Sequence, residues 1–291
     1  MDGRHFTDAG EFLDAAGPLL LSDRARNQLI LGIFGAAQKQ PDIYDSYEAW
    51  AVFEDDGAAV AAASMTAPWN LVLADARSDS SVEVLASTVA SSGSHVPGVV
   101  GNRPTIDGFA RAWCEVGSCE RTVEVEHGVF ALETVTPLSG PPGLARPMVG
   151  EEFQLVLGWW QDFNSEALPS GLPVADRLQE ILERTLDPER EQAMWIFEED
   201  GEPVSMSAHS SFSFGGARIG PVYTPPVCRG KGYGTSLVAA QSRHLLELGL
   251  EFVYLFTDLS NQTSNSIYRR IGYKQVAESA QVVFIYEDSS S

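Results

Sequence analysis

Positive charge is what this sequence most lacks. Nineteen Lys and Arg stand against forty Asp and Glu in 291 residues, a formal net charge of −21. A field of that sign repels phosphate backbones and anionic lipid, which excludes nucleic acid and membranes as partners held by bulk attraction. It favours a cationic partner, and it also serves solubility. Long apolar runs are missing too. A membrane span needs about 20 such residues, and the longest stretch, around Ala58–Met65, is short and alanine-rich. The opening Met1-Asp2-Gly3-Arg4-His5 lacks the charged-then-apolar order of a signal peptide, so a cytoplasmic location is expected. Cysteine is scarce. Cys114, Cys119 and Cys228 are odd in number and show no metal-ligand spacing, so no metal is expected. What remains is 44% hydrophobic and 10% aromatic, enough for a substantial core and incompatible with global disorder.

The length allows one large domain or two ordinary ones, and an internal repeat favours two. Val52-Phe53-Glu54-Asp55-Asp56-Gly57, followed by Val60, returns as Ile196-Phe197-Glu198-Glu199-Asp200-Gly201, followed by Val204. Each copy reads as a strand, a tight acidic turn ending in Gly, and a second strand, which is a hairpin signal. Between the copies, Pro137-Leu138-Ser139-Gly140-Pro141-Pro142-Gly143 suits neither a helix nor a sheet interior and reads as a linker. Two tandem units over 1–138 and 144–291 are therefore expected, with Asp288–Ser291 as a solvated terminus.

In the second half, Phe153, Val156, Leu157 and Trp160 fall at helical spacing and predict a helix over Glu151–Phe163. A second helix is expected over Val174–Thr185, then strands over Ala193–Glu198, Pro203–Ser210 and Ala217–Tyr223. A helix over Tyr233–Leu248 would turn Leu237, Ala240, Gln241, His244, Leu245 and Leu248 inward. A strand over Glu251–Thr257, a short helix over Ser264–Ile271 and a hairpin of Tyr273–Val276 with Gln281–Tyr286 complete the half. The first half repeats the plan with helices over Asp8–Ala15 and Asp23–Gln38 and strands over Ala49–Phe53 and Ala59–Met65. Helices over Ser81–Ser91 and Ile106–Val116 follow, then strands over Glu120–Glu126 and Val129–Val135. The fold class is α/β, a mixed sheet with helices on both faces.

The most informative segment is Pro221-Val222-Tyr223-Thr224-Pro225-Pro226-Val227-Cys228-Arg229-Gly230-Lys231-Gly232-Tyr233-Gly234-Thr235-Ser236. A strand enters a turn with three alternate glycines, and a helix leaves it. Glycine removes the Cβ that keeps an anion away from backbone amides, and the first helical turn leaves N–H donors unpaired. With Arg229 and Lys231 beside them, these groups describe a phosphate site. A P-loop needs Ser or Thr after Gly-Lys, where Gly232 stands. The dinucleotide fingerprint needs a glycine where Thr235 stands. The first half has Asp75-Ala76-Arg77-Ser78-Asp79-Ser80 at the corresponding place, with no glycine.

Arg229-Gly230-Lys231-Gly232-Tyr233-Gly234 resembles the acyl-coenzyme A pyrophosphate loop of the GNAT acetyltransferases. Val222-Tyr223-Thr224-Pro225 resembles the strand whose backbone pairs with the pantetheine arm, and Asn261 to Tyr273 resembles the family's Asn-to-Tyr helix with its Tyr-x-x-x-Gly-Tyr ending. The likeness is specific over Ala193–Tyr286 and weaker over Leu144–Thr185. The whole layout resembles tandem GNAT proteins in which the first copy has lost its cofactor loop. The resemblance implies acetyl-coenzyme A as cosubstrate, held by Val222, Tyr223, Thr224, Arg229, Gly230, Lys231, Gly232, Tyr233, Gly234, Thr235, Asn261 and Ser264. It implies Tyr268 as the acid that protonates the leaving thiolate, and an oxyanion contact from the Val222 N–H where Ile219–Tyr223 splays from Phe252–Thr257.

The family's strand glutamate is absent, because Ala217–Thr224 carries no carboxylate. His209 is the candidate base, although a strand-end histidine needs no role. Glu166 and Asp162, beyond Trp159-Trp160, are candidates for binding a cationic substrate. Cys228 is read as a bystander. Three functions stay open: N-acetylation of a small-molecule amine such as a cationic metabolite or antibiotic, N-acetylation of a protein or peptide, and non-catalytic acyl-coenzyme A binding. A homodimer also stays open.

Overall fold

Two units account for the chain in this computed structural model, which describes residues 1–39, 44, 46–167, 177–187, 190–210 and 212–286. One comprises Met1–Val129, Thr257–Asn261 and Gln275–Ser291; the other comprises Phe130–Phe256 and Gln262–Lys274. The linker therefore does not divide them. The last strand of the chain belongs with the first unit, and Phe130–Leu132 belongs with the second.

The first unit runs β1 (Asp2–Phe6), α1 (Ala9–Leu20), α2 (Gln28–Lys39), β2 (Glu48–Phe53), β3 (Ala59–Met65), β4 (Leu71–Leu73), α3 (Asp79–Ser91), β5 (Gly98–Asn102), α4 (Thr105–Gly117) and β6 (Cys119–Leu132). Strands β1 to β4 pair antiparallel in order, and β4 pairs parallel with β5. Asp8 caps α1 by accepting the Glu11 amide at 2.9 Å. Ile106, Phe109, Ala110 and Trp113 give α4 a buried stripe at helical spacing. They pack with β2–β5 and with Ala280, Val282 and Phe284 from the end of the chain. A disulfide joins Cys114 to Cys119, a pairing that a count of three cysteines does not announce.

The second unit repeats the plan: β7 (Leu144–Pro147), α5 (Phe153–Ala167), α6 (Leu178–Arg184), β8 (Ala193–Glu199), β9 (Glu202–His209), β10 (Gly216–Tyr223), α7 (Tyr233–Glu247), β11 (Phe252–Asp258) and α8 (Gln262–Ile271), after which β12 (Lys274–Tyr286) returns to the first unit from Gln275 onward. Strands β7 to β10 pair antiparallel, and β10 pairs parallel with β11. Trp160 and Val156 of α5 sit in a core with Met194, Ile196, Met206 and Tyr223, so Trp160 is a packing residue.

Several expectations change. The two closing hairpins are single strands of 14 and 13 residues, β6 and β12. Strands β1, β4 and β5 are additional. The buried face of α7 is Tyr233, Leu237, Val238, Gln241, Ser242 and Leu245, which leaves Leu248 58% exposed rather than inward. Part of the helix expected over Val174–Thr185, namely residues 174–176, and the terminus 288–291 lie outside the described residues.

Candidate active site

The strand before the glycine turn opens the site. Parallel pairing of β10 with β11 covers Gly216–Arg218 against Phe252–Tyr254. On its other side, β10 shifts register between Ile219 and Val222, and Val222 resumes opposite Ser207 of β9. Ile219–Tyr223 thus lies beyond the paired stretch, as expected of the splay. Ser205 Oγ donates to the Tyr223 carbonyl at 2.9 Å and contacts Thr224 Oγ1 at 2.9 Å, fixing the exit of the strand.

The turn itself needs its glycines. Gly230 and Gly232 adopt φ of +80° and +88°, the left-handed region that other residues enter only with strain. A Cβ on Gly234 would stand 3.1 Å from Thr224 Oγ1. Gly232 is the N-cap of α7 and offers no side chain to the helix amides. The amide of Ser236 bonds to the Gly232 carbonyl at 3.0 Å, which leaves Tyr233, Gly234 and Thr235 as first-turn donors without an intrahelical partner. Three convergent N–H groups at the positive end of a 15-residue helix suit a pyrophosphate. The residues present therefore fit coenzyme A.

The side chains around the turn divide. Lys231 is exposed, with its Nζ 5.6 Å from the Tyr233 ring centroid. Tyr233 is buried against Phe197 and donates to Glu199. Thr235 is buried, and Cys228 packs at the edge of the cluster of Trp195, Phe197 and Tyr233. Arg229 has other partners: its Nε donates to the Thr224 carbonyl at 2.8 Å and its Nη2 to Glu166 Oε2 at 2.7 Å. Glu166 Oε1 also accepts from the Tyr223 hydroxyl at 3.1 Å. Arg229 holds the Glu166 carboxyl below the usual carboxylate range, and burial pushes the Tyr223 phenol up. This triad escaped the sequence reading because Arg229 and Glu166 are 63 positions apart.

Tyr268, on α8, packs edge-on against Tyr273 and is 8% exposed. Its hydroxyl makes no hydrogen bond among the described residues, and burial raises it to about 12, so it keeps its proton at neutral pH. Ser264 lies in the first turn of the same helix. Asn261 lies in a segment that belongs to the first unit, where its amide bonds to the Asp258 carbonyl at 3.1 Å.

His209 does not fit the role of base. It is 6% exposed, its Nδ1 accepts from Gln241 Nε2 at 3.1 Å, and its Nε2 donates to the Glu191 carbonyl at 2.9 Å. Gln241 Oε1 in turn accepts from Ser207 Oγ at 2.6 Å. Burial lowers His209 to about 4. With both ring nitrogens engaged and the imidazole held neutral, no lone pair is free for a substrate proton.

Comparison with known proteins agrees with this geometry. The acetyltransferase (GNAT) family matches residues 156–273. A mycothiol acetyltransferase of Saccharomonospora viridis is 37% identical over 71 residues, a stretch covering 23% of each chain. The matched stretch is thus about a quarter of the curated relative's length. Among solved structures, a GCN5-related N-acetyltransferase from Sphaerobacter thermophilus superposes with a TM-score of 0.62 at 16% identity, over 98% of this chain and 96% of that one. A tandem GNAT protein from the clavulanic acid biosynthesis pathway superposes with a TM-score of 0.58 at 12% identity, over 98% of each chain. The fold is that of two tandem GNAT-like domains, and the match to the acetyltransferase (GNAT) family lies within the second half of the chain, at residues 156–273.

Proposed function

We propose that the second unit is an acetyl-coenzyme A-dependent N-acetyltransferase acting on a primary amine of a small molecule, and that the first unit is a copy without a cofactor site. The observation that carries the reading is the start of α7, whose first-turn amides have no side-chain cap and follow two left-handed glycines. The family match and the acetyltransferase named among the relatives support acetyl transfer.

Bound at the turn, acetyl-coenzyme A supplies a thioester whose carbonyl carbon takes the amine nitrogen and whose sulfur leaves as the thiol. The amides of Tyr233, Gly234 and Thr235 would hold the phosphates, and the backbone at the end of β10 would hold the pantetheine arm. The Val222 N–H donates to the oxyanion as negative charge builds there. Tyr268 Oη gives its proton to the leaving sulfur and is reprotonated from solvent, consistent with a phenol that burial keeps in its acid form. The protonated amine loses one proton to water before attack and its nitrogen loses a second afterwards, so one proton is released overall. No side chain on β10 takes those protons, because the strand lacks a carboxylate.

The test is thiol release from acetyl-coenzyme A with a panel of polyamines, aminoglycosides and amino acids. Release that depends on one of these amines is expected. Tight coenzyme binding with no amine-dependent release would leave only an acyl-coenzyme A binder. Tyr268→Phe is expected to lower kcat about a hundredfold with the coenzyme Kd unchanged; an unaltered kcat removes Tyr268 from the mechanism.

A further inference from the structure

We infer that Glu166 is the binding site for the ammonium group of the acceptor, and that Arg229 occupies it until the phosphates of the coenzyme draw the guanidinium away. This rests on the reading of the glycine turn given above and adds the acceptor's charge and the route by which its site opens.

The argument starts from what the carboxylate touches. Glu166 lies in the last turn of α5 and meets the end of β10 through Tyr223 Oη at 3.1 Å and the start of the glycine turn through Arg229 Nη2 at 2.7 Å. A cation already sits there, with the Arg229 guanidinium carbon 5.5 Å from the centroid of the Tyr223 ring. A carboxylate plus an aromatic face is a receptor for a positively charged nitrogen. A protonated amine would meet the same two groups.

Arg229 is poorly suited to remain. The pair is about half exposed on both sides, 47% for Arg229 and 46% for Glu166. Exposed pairs of this kind shift an equilibrium by no more than about fivefold. A pyrophosphate seated on the open amides of α7 presents a denser negative charge and a bidentate partner to the first residue of that turn. The Arg229 Nε bond to the Thr224 carbonyl, at 2.8 Å, anchors the side chain at the turn, so a change of partner needs only the outer end of the guanidinium to move. Once it moves, Glu166 faces the splayed end of β10 with a free charge. The acceptor site is then complete only when the coenzyme is bound, and only for a cationic acceptor.

A double-mutant cycle tests this on the full chain, with calorimetry for coenzyme A and thiol-release kinetics for the best amine of the panel. Glu166→Gln is expected to tighten coenzyme A binding about two- to fivefold, because Arg229 is released. In an Arg229→Gln background the same change is expected to do nothing to coenzyme affinity. Glu166→Gln is also expected to raise the amine KM about tenfold, with a smaller change in kcat. An unchanged coenzyme affinity in Glu166→Gln, or an equal gain with and without Arg229, overturns the exchange. An unchanged amine KM overturns the ammonium site. Failure of the unsubstituted protein to bind coenzyme A at all is a different result, and it overturns the reading of the turn on which this rests.

Discussion

Helices α3 and α7 occupy the same place in the same plan, each leaving an antiparallel run of strands and returning to a parallel neighbour. Their first turns differ in who satisfies them. At α3, Ser78 Oγ accepts the Ser81 amide at 3.2 Å while Ser81 Oγ accepts the Ser78 amide at 3.3 Å, a reciprocal cap. Below it, Asp75 is held by Arg26 Nε at 2.5 Å and Asn102 Nδ2 at 3.0 Å, and its amide donates to Asn27 Oδ1 at 3.1 Å. Each of these groups finds its partner in its own unit. At α7 the cap is Gly232, which has no side chain to offer. A helix start becomes a ligand site when its own sequence declines to close it, and the two copies show both choices on one backbone.

The largest expected effect comes from closing the open turn. Arg229→Glu combined with Gly232→Glu places two carboxylates where the phosphates would sit. Coenzyme affinity is expected to fall on the order of a thousandfold, read by calorimetry. Backbone strain at residue 232 adds about 1 kcal/mol of destabilisation, so circular dichroism must show the fold retained. Undiminished affinity would place α7 on the same footing as α3 and erase the comparison.

What the sequence made legible is what local chemistry decides. The repeated hairpin was readable from two aromatic runs around an acidic turn, and Gly57 and Gly201 do take left-handed φ of +86° and +85°. The glycine turn was readable because only glycine tolerates that backbone. Strand β4 has three residues and β5 has glycine at Gly98 and Gly101, too little pattern to register. The assignment of Gln275–Tyr286 to the first unit escaped because it rests on pairing with β5, Ser279 opposite Asn102, more than a hundred residues away. Phe130 and Leu132 likewise escaped, their partners being Ala217, Val238 and Tyr268. His209 was misread for a related reason: nothing in a strand-end histidine tells that Gln241, a residue of the following helix, takes its second nitrogen.

That histidine extends the comparison to what lies behind each helix. The buried side of α3 is Ser81, Val82, Leu85, Ala86 and Val89, whereas α7 buries Gln241 on a thread of Ser207 and His209. Burial puts the folded His209 at about 4, below its ordinary 6.5, so the unfolded chain takes up this proton first. The associated stability is complete above pH 6.5 and is lost as pH falls towards 4, by about 3 kcal/mol at the lower end. Denaturant midpoints measured across that window are expected to fall in the unsubstituted protein and to fall less in His209→Gln. Equal slopes in the two proteins would mean that the ring is solvated, and would return it to the list of candidate bases.

The smallest effect asks whether the cap alone separates the two copies. Ser78→Ala removes one half of the reciprocal cap and is expected to cost about 1 kcal/mol, seen as a lower denaturant midpoint at constant slope. It also frees the Ser81 amide at the start of α3. Coenzyme A is nevertheless expected to bind with unchanged stoichiometry, because Asp75 still presents its charge beneath that turn and no left-handed glycine gives a phosphate access to the backbone. A second coenzyme bound by Ser78→Ala would mean that a single hydroxyl had kept the first unit from acting as the second does.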